Sequence, residues 1–147
     1  MRNLIFCLVV GLVVGCATNQ TGKQKGSANL FTGGKWNIQE IAGAEVAPVK
    51  SGDVPPFVDF IMDEKRLSAF AGCNRMSTGF VISNDTITIS QLIATRMACP
   101  DMVYEYALEQ ALVPGSYTFR ENGDKLMLFN KDKKVLQLLR AQSIQIK

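Results

Sequence analysis

The chain has 147 residues, 47% of them hydrophobic and 20% charged, which suits one domain with a single core. Lys and Arg number 16 against 13 Asp and Glu, a formal net charge of +3 that is too small and too scattered for a nucleic-acid surface. Histidine is absent, which excludes His-based triads and leaves only cysteine and carboxylates as zinc ligands, so no metal and no cofactor is expected.

Residues 1–15 read as a secretion signal. Arg2 supplies the positive start, and Leu4 to Val14 form an uncharged apolar run. A bilayer-spanning helix takes about 20 apolar residues, so this run has the length of a signal core. Val13-Val14-Gly15-Cys16 follows and resembles the lipobox of bacterial lipoproteins. The resemblance implies cleavage before Cys16 and acylation of its thiol; the alternative is an ordinary signal in which Cys16 is incidental. Each buried methylene contributes about 0.8 kcal/mol, so two or three acyl chains would hold the protein on the membrane. Ala17, not Asp, follows the cysteine. By resemblance to the enteric sorting pattern, that implies the outer membrane, with the domain facing the periplasm. Residues 16–29 hold nothing that builds a core and read as a lipidated cysteine with a flexible tether, spanning roughly 20 Å.

The domain is expected over 30–147. Trp36 to Ile41 has a loose period of two and suits a first strand, and Ala42 to Pro56 reads as a long Gly- and Pro-rich loop. Phe57 to Met62 and Arg66 to Ala71 flank Asp63-Glu64-Lys65 as a hairpin; Gly79 to Ile82 and Thr86 to Ile89 flank Ser83-Asn84-Asp85 as another. From Asp101 to Leu112, Tyr104, Leu108, Ala111 and Leu112 share one helical face. Pro100 and Asp101 suit the start of that helix, and Pro114-Gly115 its end. Tyr117 to Glu121, Lys125 to Phe129 and Val135 to Leu139 follow as strands, the first two joined at Asn122-Gly123, a strong hairpin signal. About eight short strands and one helix, without strand–helix alternation, point to a mainly β (α+β) fold: an antiparallel, barrel-like sheet with the helix over an end or flank. Such a barrel is either filled by side chains or hollow enough for one small ligand.

Four cysteines become two once Cys7 leaves with the signal and Cys16 is lipidated. Cys73 and Cys99 are an even pair in an oxidising compartment, and a disulfide across this separation contributes about 3.5 kcal/mol on the chain-entropy model. The alternative is two unrelated buried thiols.

The domain resembles the META, or HslJ-like, family of small bacterial envelope and heat-shock-associated domains. The resemblance rests on Trp36, Ile38, Ile41 and Gly43; on Phe70-Ala71-Gly72-Cys73-Asn74-Arg75; on Thr95-Arg96-Met97-Ala98-Cys99; on Met102, Glu105, Tyr106 and Leu112; and on Tyr117, Leu126 and Leu128. It runs from Phe31 to about Ala141, departing at Ala69 and Thr78, where glycine is common. It implies a compact barrel-like fold with one helix and broad links to stress, motility or drug tolerance, and it supplies no catalytic mechanism.

Gly72-Cys73-Asn74 reads first as a turn, with glycine free to reach positive φ and Asn bonding to nearby backbone, and second as a binding loop. Thr95, Arg96 and Met97 stand beside the same cystine, and Arg75 and Arg96 read as solvated surface arginines or as two cations for an anionic ligand. These residues, Gly72, Asn74, Arg75, Thr95, Arg96 and Met97, form the candidate binding surface. Asp59 suits an outward strand position, and Met62, Met76, Met97, Met102 and Met127 suit gap-filling core. The expected function is a non-catalytic envelope module, binding or stress-related, anchored to the membrane through Cys16, with an envelope protein as partner, no nucleic acid, and a monomeric state. The alternative is a carrier of a small apolar ligand in the barrel interior. No Ser, Lys or paired-carboxylate motif stands out for an enzyme.

Overall fold

The computed structural model describes residues 35–141. The expected secretion signal (1–15), Cys16 and the expected tether (16–29) lie outside the described residues, as do 142–147. The strands are Lys35–Ile41 (β1), Ala44–Glu45 (β2), Phe57–Ile61 (β3), Arg66–Phe70 (β4), Arg75–Ser83 (β5), Thr86–Ile89 (β6), Ile93–Ala94 (β7), Gly115–Asn122 (β8), Lys125–Asn130 (β9) and Lys133–Arg140 (β10). One helix, Val103–Ala111 (α1), lies between β7 and β8.

Every pairing is antiparallel, and the order β1-β3-β4-β5-β6-β8-β9-β10 returns to β1 through the pairing of Trp36 with Arg140 and Ile41 with Leu136. Eight strands thus close a barrel and leave it without a long open edge. The short β2 pairs with the end of β1, and the short β7 pairs with the start of β5, beyond the reach of β6.

Alternation decides which side chains point inward. Val58 and Phe60 of β3, Leu67 and Ala69 of β4, Met76 and Phe80 of β5 and Ile87 and Ile89 of β6 are buried in the core. Asp59 sits between the two inward residues of β3 and is half-buried on the outer face. Phe60 meets Phe80 edge to face at 5.7 Å, the arrangement aromatic quadrupoles favour. Side chains lining a hollow would keep accessible surface. Trp36, Val58, Leu67, Ile87, Tyr117, Leu126, Leu128 and Leu138 all retain 0%, so the interior is filled by side chains. Burial of each large apolar side chain contributes about 1.5–3 kcal/mol, which makes this packing the main support of the fold.

The two barrel ends are closed differently. At one rim β1, β4, β6 and β9 finish and β3, β5, β8 and β10 begin, and here α1 lays Leu108, Ala111 and the adjoining Leu112 into the core. Tyr104 is half-buried, and its hydroxyl accepts a hydrogen bond from the Ala47 amide at 2.9 Å, fastening the long loop to the helix. The helix begins two residues later than Asp101. Asp101 instead accepts a hydrogen bond from the Val103 amide at 3.2 Å, doing from outside the helix what a capping side chain does. At the other rim Arg140 lies 4.3 Å above the Trp36 ring, a cation–π lid, and the Trp36 indole N–H has no hydrogen-bond partner among the described residues.

Candidate functional site

The segment between β4 and β5 turns through Gly72, whose φ of +125° is open to glycine and strained for other residues. The turn delivers Asn74 into the rim beneath α1, where only 2% of it is exposed, and the helix delivers Glu105, exposed by 1%. Both carboxylate oxygens of Glu105 are taken by Asn74: Oε2 by the backbone N–H at 2.6 Å and Oε1 by the side-chain Nδ2–H at 2.5 Å. A buried carboxylate with no cation beside it among the described residues is costly, and these two donors are what make it tolerable.

The rest of the Asn74 carboxamide serves the segment after β7. Its Oδ1 accepts from the Met97 amide and from Thr95 Oγ1, each at 2.7 Å, while Nδ2 also donates to the Met97 carbonyl at 3.2 Å. A carboxamide has the donor–acceptor pair of a peptide group, so Asn74 continues the β5–β7 ladder with its side chain. One step earlier the ladder is ordinary: the Thr95 amide donates to the Arg75 carbonyl at 3.0 Å. One step later the Cys73–Cys99 disulfide ties the same two stretches, with Cα atoms 6.3 Å apart. Residues 93–99 are therefore held extended along the start of β5 by backbone, side-chain amide and cystine in succession.

On the outer face here, cations cover a row of aromatic rings. Phe57, directly paired with Phe70, stacks on it at 5.9 Å; Arg75, directly paired with Phe70 from the other side, lies 5.6 Å over its ring; Lys35 lies 4.5 Å over Phe57. Beside this row a shallow groove of about 360 Å³ is lined by Arg66, Ser68, Arg75 and Ser77, with Ile93 and Thr95 among its other residues. Small residues make the floor: Ser68 faces Ser77 across β4 and β5. Arg66 is tied to Glu64 at 2.7 Å, a surface pair worth little, and Arg75 has no carboxylate partner among the described residues. Ile93 and Met97 project from the same extended segment, 68% and 60% exposed.

The six residues of the candidate surface are therefore near one another but not alike. Arg75, Thr95, Arg96 and Met97 are exposed, and Gly72 is exposed at the turn, whereas Asn74 lies beneath the surface and holds the others in place. Arg75 opens β5, which begins before the Gly79 at which the sequence pattern starts that strand. Arg96 extends over the helix, 3.5 Å from Glu109, and does not join Arg75 in one cationic pair. Met97 is exposed, unlike the core methionine Met76 at 1%, because its backbone is bonded to Asn74 while its side chain points away from the barrel. Glu105 is the residue with a decisive role that sequence reasoning did not assign. The available signal was its spacing, one carboxylate among Leu108 and Leu112 on the buried helical face. Burial raises the pKa of Tyr117 above 10.0, and its hydroxyl donates to the Val113 carbonyl at 2.6 Å just beyond the helix. Among the described residues no cluster of three metal-ligating side chains occurs, and no helix is long and apolar enough to cross a membrane.

Residues 28–143 match the family model described as the META domain. No curated protein sequence matches the chain. An NMR structure of a protein from Burkholderia xenovorans is similar in fold, with a TM-score of 0.57 and 20% identity over 78% of this chain and 86% of that one. A second NMR structure has a TM-score of 0.56 and 22% identity, covering 76% of this chain and 92% of its own.

Proposed function

The chain belongs to the META domain family, and we propose that it is a lipid-anchored, non-catalytic binding domain of the cell envelope that meets a protein partner on the outer face of β4, β5 and β7. The supporting observation is a contrast between inside and outside. The interior is filled, while a groove with an uncompensated arginine lies open beside two large exposed apolar side chains, Ile93 and Met97. Apolar anchors next to arginine are the composition from which binding hot spots are built. The filled interior weighs against the carrier alternative. Catalysis is disfavoured by the same accounting: Glu105 is committed through both oxygens to Asn74, and no histidine exists to move protons near neutral pH. In this reading acylated Cys16 and its tether keep the domain within a few tens of ångströms of the outer membrane, on its periplasmic side, as a monomer.

The test is site-specific photo-crosslinking in intact cells. A photoreactive residue at Ile93 or Met97 gives a discrete adduct with one envelope protein, and the adduct disappears when Arg75→Glu is added. The same residue at Val81, 61% exposed on the far half of β5, gives none. Equal labelling from all three positions, or turnover of an envelope substrate abolished by one Ser, Lys, Asp or Glu substitution, contradicts the proposal.

A further inference from the structure

In an extended chain the N–H and C=O groups of successive residues point to opposite sides. Ser77 opposes Ile93 and Met76 opposes Ala94 in the β5–β7 register, and the Thr95 amide donates to the Arg75 carbonyl. The backbone groups of Ile93 and Thr95 therefore face β5, and those of Met97 face the Asn74 carboxamide. By parity the groups of Ala94, Arg96 and Ala98 face away, and among the described residues none of the three has a hydrogen-bond partner. The barrel closes its long edges, and among the described residues the short strands β2 and β7 are each paired on one side only; at β7 the open edge runs on through residues exposed from Thr95 to Ala98.

Three outward N–H and C=O sets spaced two residues apart, about 6.8 Å, are the complement of one ligand chemistry: another extended polypeptide. Both ends of the edge are fixed, by β5 on one side and by the cystine on the other, so it needs no ordering when a ligand arrives. Its side chains add selectivity. Ile93 and Met97 share the outer face and offer apolar contacts to alternate residues of an added strand. Arg75 reaches toward the same face without a carboxylate partner, and Arg96, its side chain 81% exposed, stands on the edge itself. The nearby carboxylates are Asp59 on β3, Glu64 paired to Arg66, and Glu109 beside Arg96. Arg66 and Arg96 each have one of these carboxylates, which leaves Arg75 without one among the described residues. We propose that Ile93–Ala98 is a strand-addition site that binds an extended peptide carrying acidic and apolar side chains in alternation. This rests on the outer-face binding proposed above and names its partner class and mode.

The experiment uses the ¹⁵N-labelled full chain in detergent micelles and a ten-residue probe of alternating valine and threonine with two threonines replaced by glutamate. Binding should slow hydrogen exchange at the Ala94, Arg96 and Ala98 amides at least tenfold and leave Val81 unchanged. A probe with lysines in place of the glutamates should bind at least tenfold more weakly. Arg96→Pro removes one outward N–H that the fold does not use, and an extended Thr95 before it suits proline. It should weaken binding at least tenfold, whereas Arg96→Ala, which keeps the N–H, should cost threefold or less. Binding that shifts Ser77 and Arg75 but leaves the three amides exchanging as before overturns strand addition while leaving the outer-face reading in place. Equal affinity for glutamate and lysine probes overturns the charge assignment, and failure to bind anywhere on β4, β5 and β7 overturns both readings.

Discussion

Glu105→Gln is an isosteric change that isolates the interaction holding the rim together. Both carboxylate oxygens of Glu105 accept from Asn74 N–H groups, at 2.6 and 2.5 Å. Glutamine has one acceptor and one donor, so in either orientation an amide N–H is set against an N–H of Asn74. The variant loses one charge-assisted hydrogen bond, about 1.5–3 kcal/mol, and leaves a buried donor unpaired, about 1–3 kcal/mol more. Neutralising a carboxylate that has no cation beside it returns part of this. The net loss should be about 2–4 kcal/mol, which lowers Tm by roughly 10 °C in a domain of this size. Urea unfolding of the wild type, both single variants and the double variant closes the cycle. With Asn74→Ala in place, glutamine can direct its oxygen to the remaining backbone N–H and its amide into the vacated space. In that background Glu105→Gln should cost less than about 1 kcal/mol. A native-background loss below about 0.5 kcal/mol, or the same loss in both backgrounds, would refute the two-acceptor account.

Cys73→Ala should destabilise the domain by about 2–5 kcal/mol, and intact mass without reductant should be two hydrogens below the reduced form; two thiols alkylated freely in the native protein contradict this. Tyr117 has its pKa raised above 10.0 by burial, so its neutral form belongs to the folded state. Its contribution is complete below pH 10.0 and is lost as pH rises from there through the folded value. Unfolding midpoints should hold up to about pH 9.5 and fall above it, and Tyr117→Phe should reduce that alkaline fall. If acylation at Cys16 is right, Cys16→Ser leaves an unprocessed precursor, and a mature N-terminus anywhere else defeats it.

Strands that pack one face were legible because alternation is a local signal. Thr86 to Ile89 and the Asn122-Gly123 hairpin needed no knowledge of the rest of the chain, and Gly123 indeed sits at a φ of +62°. Two-residue strands were not legible. β7 runs along β5 into residues that Asn74 and Cys73 hold there, and both contacts span more than twenty residues. Asn74 showed its turn chemistry in sequence but not its destination under the helix. Glu105 looked like one more helical carboxylate until a partner 31 residues away made it a buried acceptor. Met97 read as core because methionine composition favours it, and the hydrogen bonds of its own backbone decide otherwise. The groove is half visible in the sequence: Arg75 and Thr95 stand close to the two cysteines, while Ser68, Ser77 and Ile93 join it only through strand register.

In the proposed reading an extended edge, pinned on one side and open on the other, forms the working surface of this domain. Hydrogen exchange of individual amides in the free protein tests it without any partner. Thr95 and Met97, bonded to Arg75 and Asn74, should exchange at least about a hundredfold more slowly than Arg96 and Ala98, whose amides face outward. Slow exchange at all four amides, or fast exchange at all four, would contradict it: the first would mean the edge is already covered, the second that it is not held extended at all.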